Sequence, residues 1–287
     1  VIEKNGIVVD NSLHRTVFLK TADAEYSVTP QKMMKKRKKE WFDNDVFWQA
    51  FYPFMFSEKS FVETPEQIKK VLKLTEPAGK TVLDLCCGPG RCAIALASSS
   101  FEVTGVDRTK YLLDKARERA ISEKAEIEWI QMDMRDFVRP DTYDLALSMF
   151  TSFGYFDDKN EDTKVLHNMN TSLKQGGVCL IDVIGKEVLA KIFQPTTSVV
   201  LPDGTIFIQR HEIFDDWTRI RNEWILIRKG KARNFHFHHT IYSGQELRDL
   251  MEQAGFVDVK LHGNFDGDEY GPDGHRLIAV GRKPEKQ

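Results

Sequence analysis

Asp84, Gly88, Gly90 and Asp107 have the residue types and spacing that a nucleotide-like ligand needs. In Val82-Leu-Asp-Leu-Cys-Cys-Gly-Pro-Gly-Arg-Cys-Ala93 an apolar run ends in an acid and two glycines, then passes directly into a helix-forming stretch. Glycines at such a junction let a ligand approach bare backbone at a helix N-terminus. Phe101-Glu-Val-Thr-Gly-Val-Asp107 reads as a second buried strand, and its terminal acid lies 19 residues beyond Gly88. A carboxylate there can accept hydrogen bonds from both hydroxyls of a ribose. These residues predict a site for an adenosine-containing cofactor.

Gly88-x-Gly90-x-x-Ala93 also satisfies the dinucleotide fingerprint. Asp84 argues against a dinucleotide, because a carboxylate four residues before Gly88 would repel a pyrophosphate. The same carboxylate suits a ligand that carries an ammonium and a sulfonium. On these residues the chain resembles the class I S-adenosylmethionine (SAM)-dependent methyltransferases, whose first motif runs D-x-x-x-G-x-G. Cys92 stands where that family carries a third glycine. The resemblance extends over roughly residues 60 to 287.

The elements that must hold these residues alternate in type. Thr64-Pro65 is read as the start of a helix, with Thr64 as N-cap and Gln67 completing a capping box. Strand 82–86, helix 90–98, strand 102–107, helix 109–121 and strands 126–131 and 143–148 follow. Helix 159–174, ended by Gly176-Gly177, leads to strand 178–183. Such alternation implies a parallel sheet with ligands at the carboxyl ends of its strands. Beyond residue 185 the period changes, and 205–211, 220–227 and 234–241 read as three antiparallel strands. Ser243 and Glu246 then form a capping box for helix 244–254, and 257–262 and 277–282 read as a closing hairpin.

The resemblance therefore implies an α/β fold: a Rossmann-like class I methyltransferase sheet, mostly parallel with an antiparallel terminal hairpin. An N-terminal helical lid and an inserted antiparallel β meander would be added to it. The expected organisation is an N-terminal extension with an aromatic lid helix (1–60), a SAM-binding core (61–185), a meander over the acceptor site (186–242), and a return to the core (243–287).

Site residues implied by the resemblance are Asp84, Leu85, Cys86, Gly88 and Gly90 around the loop, and Asp107 with Arg108 at the ribose. Asp133 and Met134 would serve the adenine, and Phe150 and Thr151 would lie near the transferable methyl. Arg135 either faces the cofactor or pairs with Asp136. The segment 41–56 is crowded with aromatic rings, in a chain where aromatics make up 11%. As a lid it would bring Trp41 and Tyr52 over the cofactor, since aromatic faces attract sulfonium and ammonium cations. Ser152, Thr151, Tyr155, His239, Tyr270 and Arg276 are the candidate acceptor contacts, with Tyr155 and His239 the candidate bases. Asp157-Asp158 reads as a helix cap, and His236 with His238 is too small a set for a metal site.

Net charge is −2, so there is no global basic field for nucleic acid. The run Lys32-Met-Met-Lys-Lys-Arg-Lys-Lys39 is local and reads as a solvated face. No apolar stretch is long enough to span a bilayer and no leader is visible, so a cytoplasmic location is expected. The four cysteines suggest neither zinc nor disulfides. Methyltransferases acting on exocyclic base nitrogens carry an Asn/Asp-Pro-Pro-aromatic run after strand four, where this chain has Ser148-Met-Phe-Thr-Ser-Phe-Gly-Tyr155. The expectation is a SAM-dependent methyltransferase acting on a nitrogen or oxygen of a small molecule, with S-adenosyl-L-homocysteine as product and no metal. An RNA- or protein-modifying enzyme and a non-catalytic SAM-binding module remain open, as does the oligomeric state.

Overall fold

The computed structural model describes residues 18–21, 24–27, 39–271 and 273–285. It divides into two units, residues 1–40 and 41–287. In the first, β1 (Phe18–Thr21) and β2 (Ala24–Ser27) pair antiparallel, with Phe18 opposite Ser27. The basic run up to Lys38 lies outside the described residues.

The second unit opens with one 3-10 turn, Trp41–Asp43, and α1 (Asp45–Met55), capped by the Asn44 side chain accepting from the Val46 N–H. Next comes α2 (Glu58–Thr75), whose start corrects the sequence reading: Ser57 is the N-cap, and Thr64 and Pro65 lie inside the helix. The Thr64 hydroxyl donates to the Ser60 carbonyl at 2.6 Å, which occupies it within the helix rather than at its end. Pro65 removes one backbone hydrogen bond, but the buried face of Phe61, Ile68 and Val71 carries the helix past it.

The core then alternates through β3 (Thr81–Leu85), α3 (Arg91–Ser98), β4 (Glu102–Asp107), α4 (Lys110–Glu123) and β5 (Ile127–Gln131). It continues with β6 (Tyr143–Ser148), α5 (Lys159–Ser172), β7 (Leu173–Val183) and α6 (Lys186–Ile192). Asp158 caps α5, as its sequence suggests. Gly176-Gly177 does not end a helix. It sits inside β7, where the register against β6 slips and Gly176 takes φ +71°. The pair forms a bulge that only a residue tolerant of left-handed backbone accommodates.

An antiparallel sheet follows, of β8 (Thr196–Val200), β9 (Ile206–Phe214), β10 (Arg219–Arg228) and β11 (Lys231–Thr240), in spatial order β11-β10-β9-β8. The sequence reading had three of these strands. The missing one, β8, is a short edge strand with mostly exposed side chains, so it lacks the alternation that marks a half-buried strand. The chain returns through α7 (Gly244–Gln253), with the Ser243–Glu246 capping box in place, and ends in β12 (Val257–His262) and β13 (Leu277–Arg282).

The main sheet has the order β12-β13-β7-β6-β3-β4-β5. β13 runs antiparallel to β7 and β12, and the other pairs are parallel. Leu83, Leu85, Leu145, Leu147, Leu180 and Ile181 are fully buried on its two faces. Strand order reverses between β3 and β6, which opens a crevice at their carboxyl ends.

Candidate active site

That crevice is closed on one side by the segment 41–56, leaving a cavity of ≈ 240 Å³. The loop below it is set by backbone conformation. Cys86 (φ +62°) and Gly88 (φ +56°) both take the left-handed region and turn the chain from β3 towards α3. A Cβ on Gly88 would meet nothing nearer than the Phe56 ring at 3.8 Å, so this glycine presents an open face. Gly90 (φ +81°) has a different role: a Cβ there would strike the Trp129 ring at 2.6 Å.

Three acids point to this space. Asp84 is buried, one of its oxygens (Oδ2) has no hydrogen-bond partner, and burial pushes its pKa up to about 7, against a hydrogen bond from the Ala93 N–H. Asp107 Oδ2 accepts from the Gly88 N–H at 2.9 Å and Oδ1 from the Thr109 N–H at 2.7 Å, so the second acid shapes the glycine loop itself. Burial raises its pKa as well, opposed by these backbone donors. Asp133 is different. Burial pushes its carboxyl up, but hydrogen bonds and charge from Arg135, with the charge of Arg108, outweigh that and hold it below the ordinary carboxylate range.

Arg135 settles on Asp133, donating from its backbone N and Nε to Oδ1 and from Nη2 to Oδ2. Arg108 adds Nη1 to Oδ2 at 2.8 Å and reaches Asp43 with Nη2 at 2.7 Å. Four donors fill the lone pairs of one carboxylate, so an adenine amino group would have to share a saturated Asp133. The Asp43–Arg108–Asp133 chain also ties the aromatic segment to the core, and the Arg108 guanidinium lies 4.9 Å from the Phe42 ring centroid.

Phe150 and Thr151 follow β6 in left-handed backbone, φ +57° and +61°. Neither is glycine, and Thr151 is β-branched, so the conformation is strained. Buried Asp182 holds it: Oδ2 accepts from the Phe150 N–H at 2.8 Å, and the Asp182 carbonyl accepts from the Thr151 N–H at 2.9 Å. Arg276 completes the clamp, bonding Asp182 through Nε and the Thr151 hydroxyl through Nη2.

Of the residues named from sequence, Trp41, Asp84, Cys86, Gly88, Asp107, Arg108, Asp133, Met134, Phe150, Thr151, Ser152 and Tyr155 line the cavity. Leu85 and Gly90 support the loop from beneath. Tyr52 turns to the other side of α1, against Tyr111 on α4. His239 packs behind Tyr155 with its ring tilted, the centroids 4.9 Å apart, and burial lowers its pKa to about 4. Tyr270 donates to Glu187 at 2.7 Å, away from the cavity, and Arg276 sits behind Thr151. Burial raises the Tyr155 phenol well above its ordinary value. Neither Tyr155 nor His239 is thus disposed to take a proton at neutral pH. Sequence reasoning missed Phe42, Trp48, Phe56, Arg91, Met149 and Phe156 on the walls. Phe42, Trp48 and Phe56 had a local signal in the aromatic density of 41–56, and Arg91 had one as the residue following the glycine loop.

The four-stranded sheet completes the wall from outside. Phe47 and Phe51 of α1 pack against Phe207, Trp224, Phe235 and Phe237, and Trp41 stacks on Phe237 at 4.7 Å between centroids. Among the described residues no group of three or more His, Cys, Asp or Glu is arranged to hold a metal, and no helix is long and apolar enough to cross a membrane.

Comparison with known proteins agrees with this geometry. Residues 82–177 match the profile of a methyltransferase domain. The chain is 25% identical over 224 residues to YqeM of Bacillus subtilis (strain 168), named as a methyltransferase, covering 76% of this chain and 90% of that one. It is 24% identical over 221 residues to the glycine/sarcosine N-methyltransferase of Aphanothece halophytica, covering 73% and 78%. A SAM-dependent methyltransferase structure from Clostridium acetobutylicum ATCC 824 superposes with a TM-score of 0.69 at 14% identity, over 84% of this chain and 98% of that one. With the acid-glycine loop, the seven-stranded sheet and its antiparallel terminal hairpin, these matches identify the chain as a class I SAM-dependent methyltransferase.

Proposed function

We propose that the protein transfers the methyl group of SAM to a nitrogen or oxygen of a small molecule. The observation that carries this is the aromatic enclosure: the 3-10 turn, α1 and the segment after β6 wall in the space above the glycine loop with Trp41, Phe42, Trp48, Tyr155 and Phe156, and the four-stranded sheet backs α1 from outside. The amine-methylating relative supports a small acceptor.

The residues fit the cofactor. Gly88 leaves an open face, Asp84 offers an unpartnered carboxylate oxygen to an ammonium, and Asp107 keeps lone pairs for a ribose. Bound SAM supplies an electrophilic methyl on a sulfonium. The protein's part is then to orient the acceptor lone pair, exclude water and offer aromatic faces to positive charge. With the buried His239 imidazole only weakly basic and the Tyr155 phenol protonated, this reading takes an acceptor atom whose lone pair is already free.

Methyl-labelled SAM incubated with the protein and a whole-cell extract tests the reading. Label is expected in the small-molecule fraction. Label confined to protein or nucleic acid would move the assignment to a macromolecular acceptor, and SAM binding with no label in any fraction would favour the non-catalytic module.

Asp84 makes the cofactor affinity pH-dependent in a stated direction. In the ligand-free protein its carboxyl holds a proton up to about pH 7, and an ammonium needs the ionised form. SAM affinity should therefore fall by up to about tenfold per pH unit below 7 and level off above it. Asp84→Asn should flatten that profile, measured by calorimetry between pH 5.5 and 8.5. Linkage acts oppositely on the ligand-free fold: a raised carboxyl pKa means stability declines as pH rises from about 4 to about 7. An unchanged pH profile in Asp84→Asn would remove Asp84 from the cofactor site.

A further inference from the structure

Arg91 opens α3, lines the cavity and is half-buried. Its guanidinium carbon lies 3.6 Å from the centroid of the Phe150 ring. Its side chain makes no hydrogen bond or ion pair with any described residue. The neighbouring arginines are all committed: Arg108 to Asp43 and Asp133, Arg135 to Asp133, Arg276 to Asp182 and Thr151. Stacking on a ring uses the face of a guanidinium and leaves its edge donors free.

Burial lowers the Arg91 pKa, but the group stays charged, and Asp84 and Asp182 act on it through space only. A cation stripped of part of its water, with its donors free at the wall of an active cavity, is complementary to an anionic ligand group. Those two nearby acids also limit the charge that fits: a singly charged, planar carboxylate matches the guanidinium fork, whereas a doubly charged phosphate meets more repulsion.

We propose that Arg91 is an anion-recognition residue of this cavity and binds a carboxylate through the free edge of its guanidinium. Two sources supply that chemistry, the amino-acid end of the cofactor or an acid group on the acceptor. The inference rests on the SAM-dependent reading above.

Calorimetry on the wild type, Arg91→Gln and Arg91→Lys distinguishes the sources, using S-adenosyl-L-homocysteine and its decarboxylated analogue. Benzoate, with benzamide as neutral control, is then titrated onto the S-adenosyl-L-homocysteine-saturated proteins with tryptophan fluorescence as readout. If the cofactor carboxylate is the ligand, the wild type prefers the intact compound by about tenfold or more, and Arg91→Gln loses that preference. If the acceptor supplies it, that preference is the same in both proteins, while a tenfold preference for benzoate over benzamide disappears in Arg91→Gln. Arg91→Lys, which keeps the charge without the fork, should fall between in either case. Both preferences unchanged by Arg91→Gln overturn the proposal. A wild type that binds neither SAM nor S-adenosyl-L-homocysteine overturns the SAM reading itself. Near-ultraviolet circular dichroism checks that each variant is folded.

Discussion

Arg276→Ala should lower folding stability by about 3–5 kcal/mol, the usual result of stripping the partner from a buried charge. Asp182 has no exposed surface, and burial already raises its pKa against the charge and hydrogen bond of Arg276. Without the guanidinium, the carboxyl must either take up a proton or remain as an uncompensated charge beneath β6. The same change frees the Thr151 hydroxyl, so nothing but the Asp182 main chain and the Phe150 N–H contact holds two adjacent non-glycine residues in left-handed backbone. Relaxation of that strain would return part of the lost stability, yet it would move Phe150 and Thr151 on the cavity wall. A variant that refolds at low temperature should therefore still turn over more slowly. Urea denaturation of Arg276→Ala checks the first part. Arg276→Met combined with Asp182→Asn, which removes both charges, should recover more than half of the loss. A loss under about 1 kcal/mol would mean that Asp182 is accommodated without Arg276.

The difference between what was and was not legible in the sequence is one of range. Asp84, Gly88 and Asp107 lie on adjacent strand ends joined by one helix, and their chemistry is fixed by local backbone: three left-handed residues and a carboxylate that caps the loop. A periodic pattern read over a few residues was enough for nearly every element of the main sheet. Pro65 misled because proline marks helix starts by propensity, whereas here the buried stripe Phe61–Ile68–Val71 overrides it. Gly176-Gly177 misled in the same way, as a bulge and a helix stop use the same residue. The acceptor side depends on contacts between distant segments. Nothing near residue 239 tells that His239 lies behind Tyr155, or near residue 52 that Tyr52 faces α4. The aromatic density of 41–56 was visible, but its partners on β9, β10 and β11 were not, because a ring buried against a sheet and a ring over a cofactor have the same sequence signature.

Asp107→Ala should weaken binding of S-adenosyl-L-homocysteine by about a hundredfold to ten-thousandfold. Two hydrogen bonds from ribose hydroxyls to a carboxylate are worth about 1.5–3 kcal/mol each, which sets that range. Asp107 also accepts from the N–H groups of Gly88 and Thr109, so part of any loss could come from a collapsed loop rather than a missing ribose contact. Asp107→Asn does not rescue the loop, since its amide would turn a donor towards one of those N–H groups. A ligand pair separates the two contributions. The wild type should prefer adenosine to 2′,3′-dideoxyadenosine, and this preference should vanish in Asp107→Ala, whatever the loop costs both ligands equally. If both affinities fall together and the preference survives, Asp107 is a loop-positioning residue and the ribose is held elsewhere. If neither affinity changes by more than about threefold in a folded variant, the acid at the end of β4 has no part in binding, and the adenosine site predicted from its spacing to Gly88 is wrong.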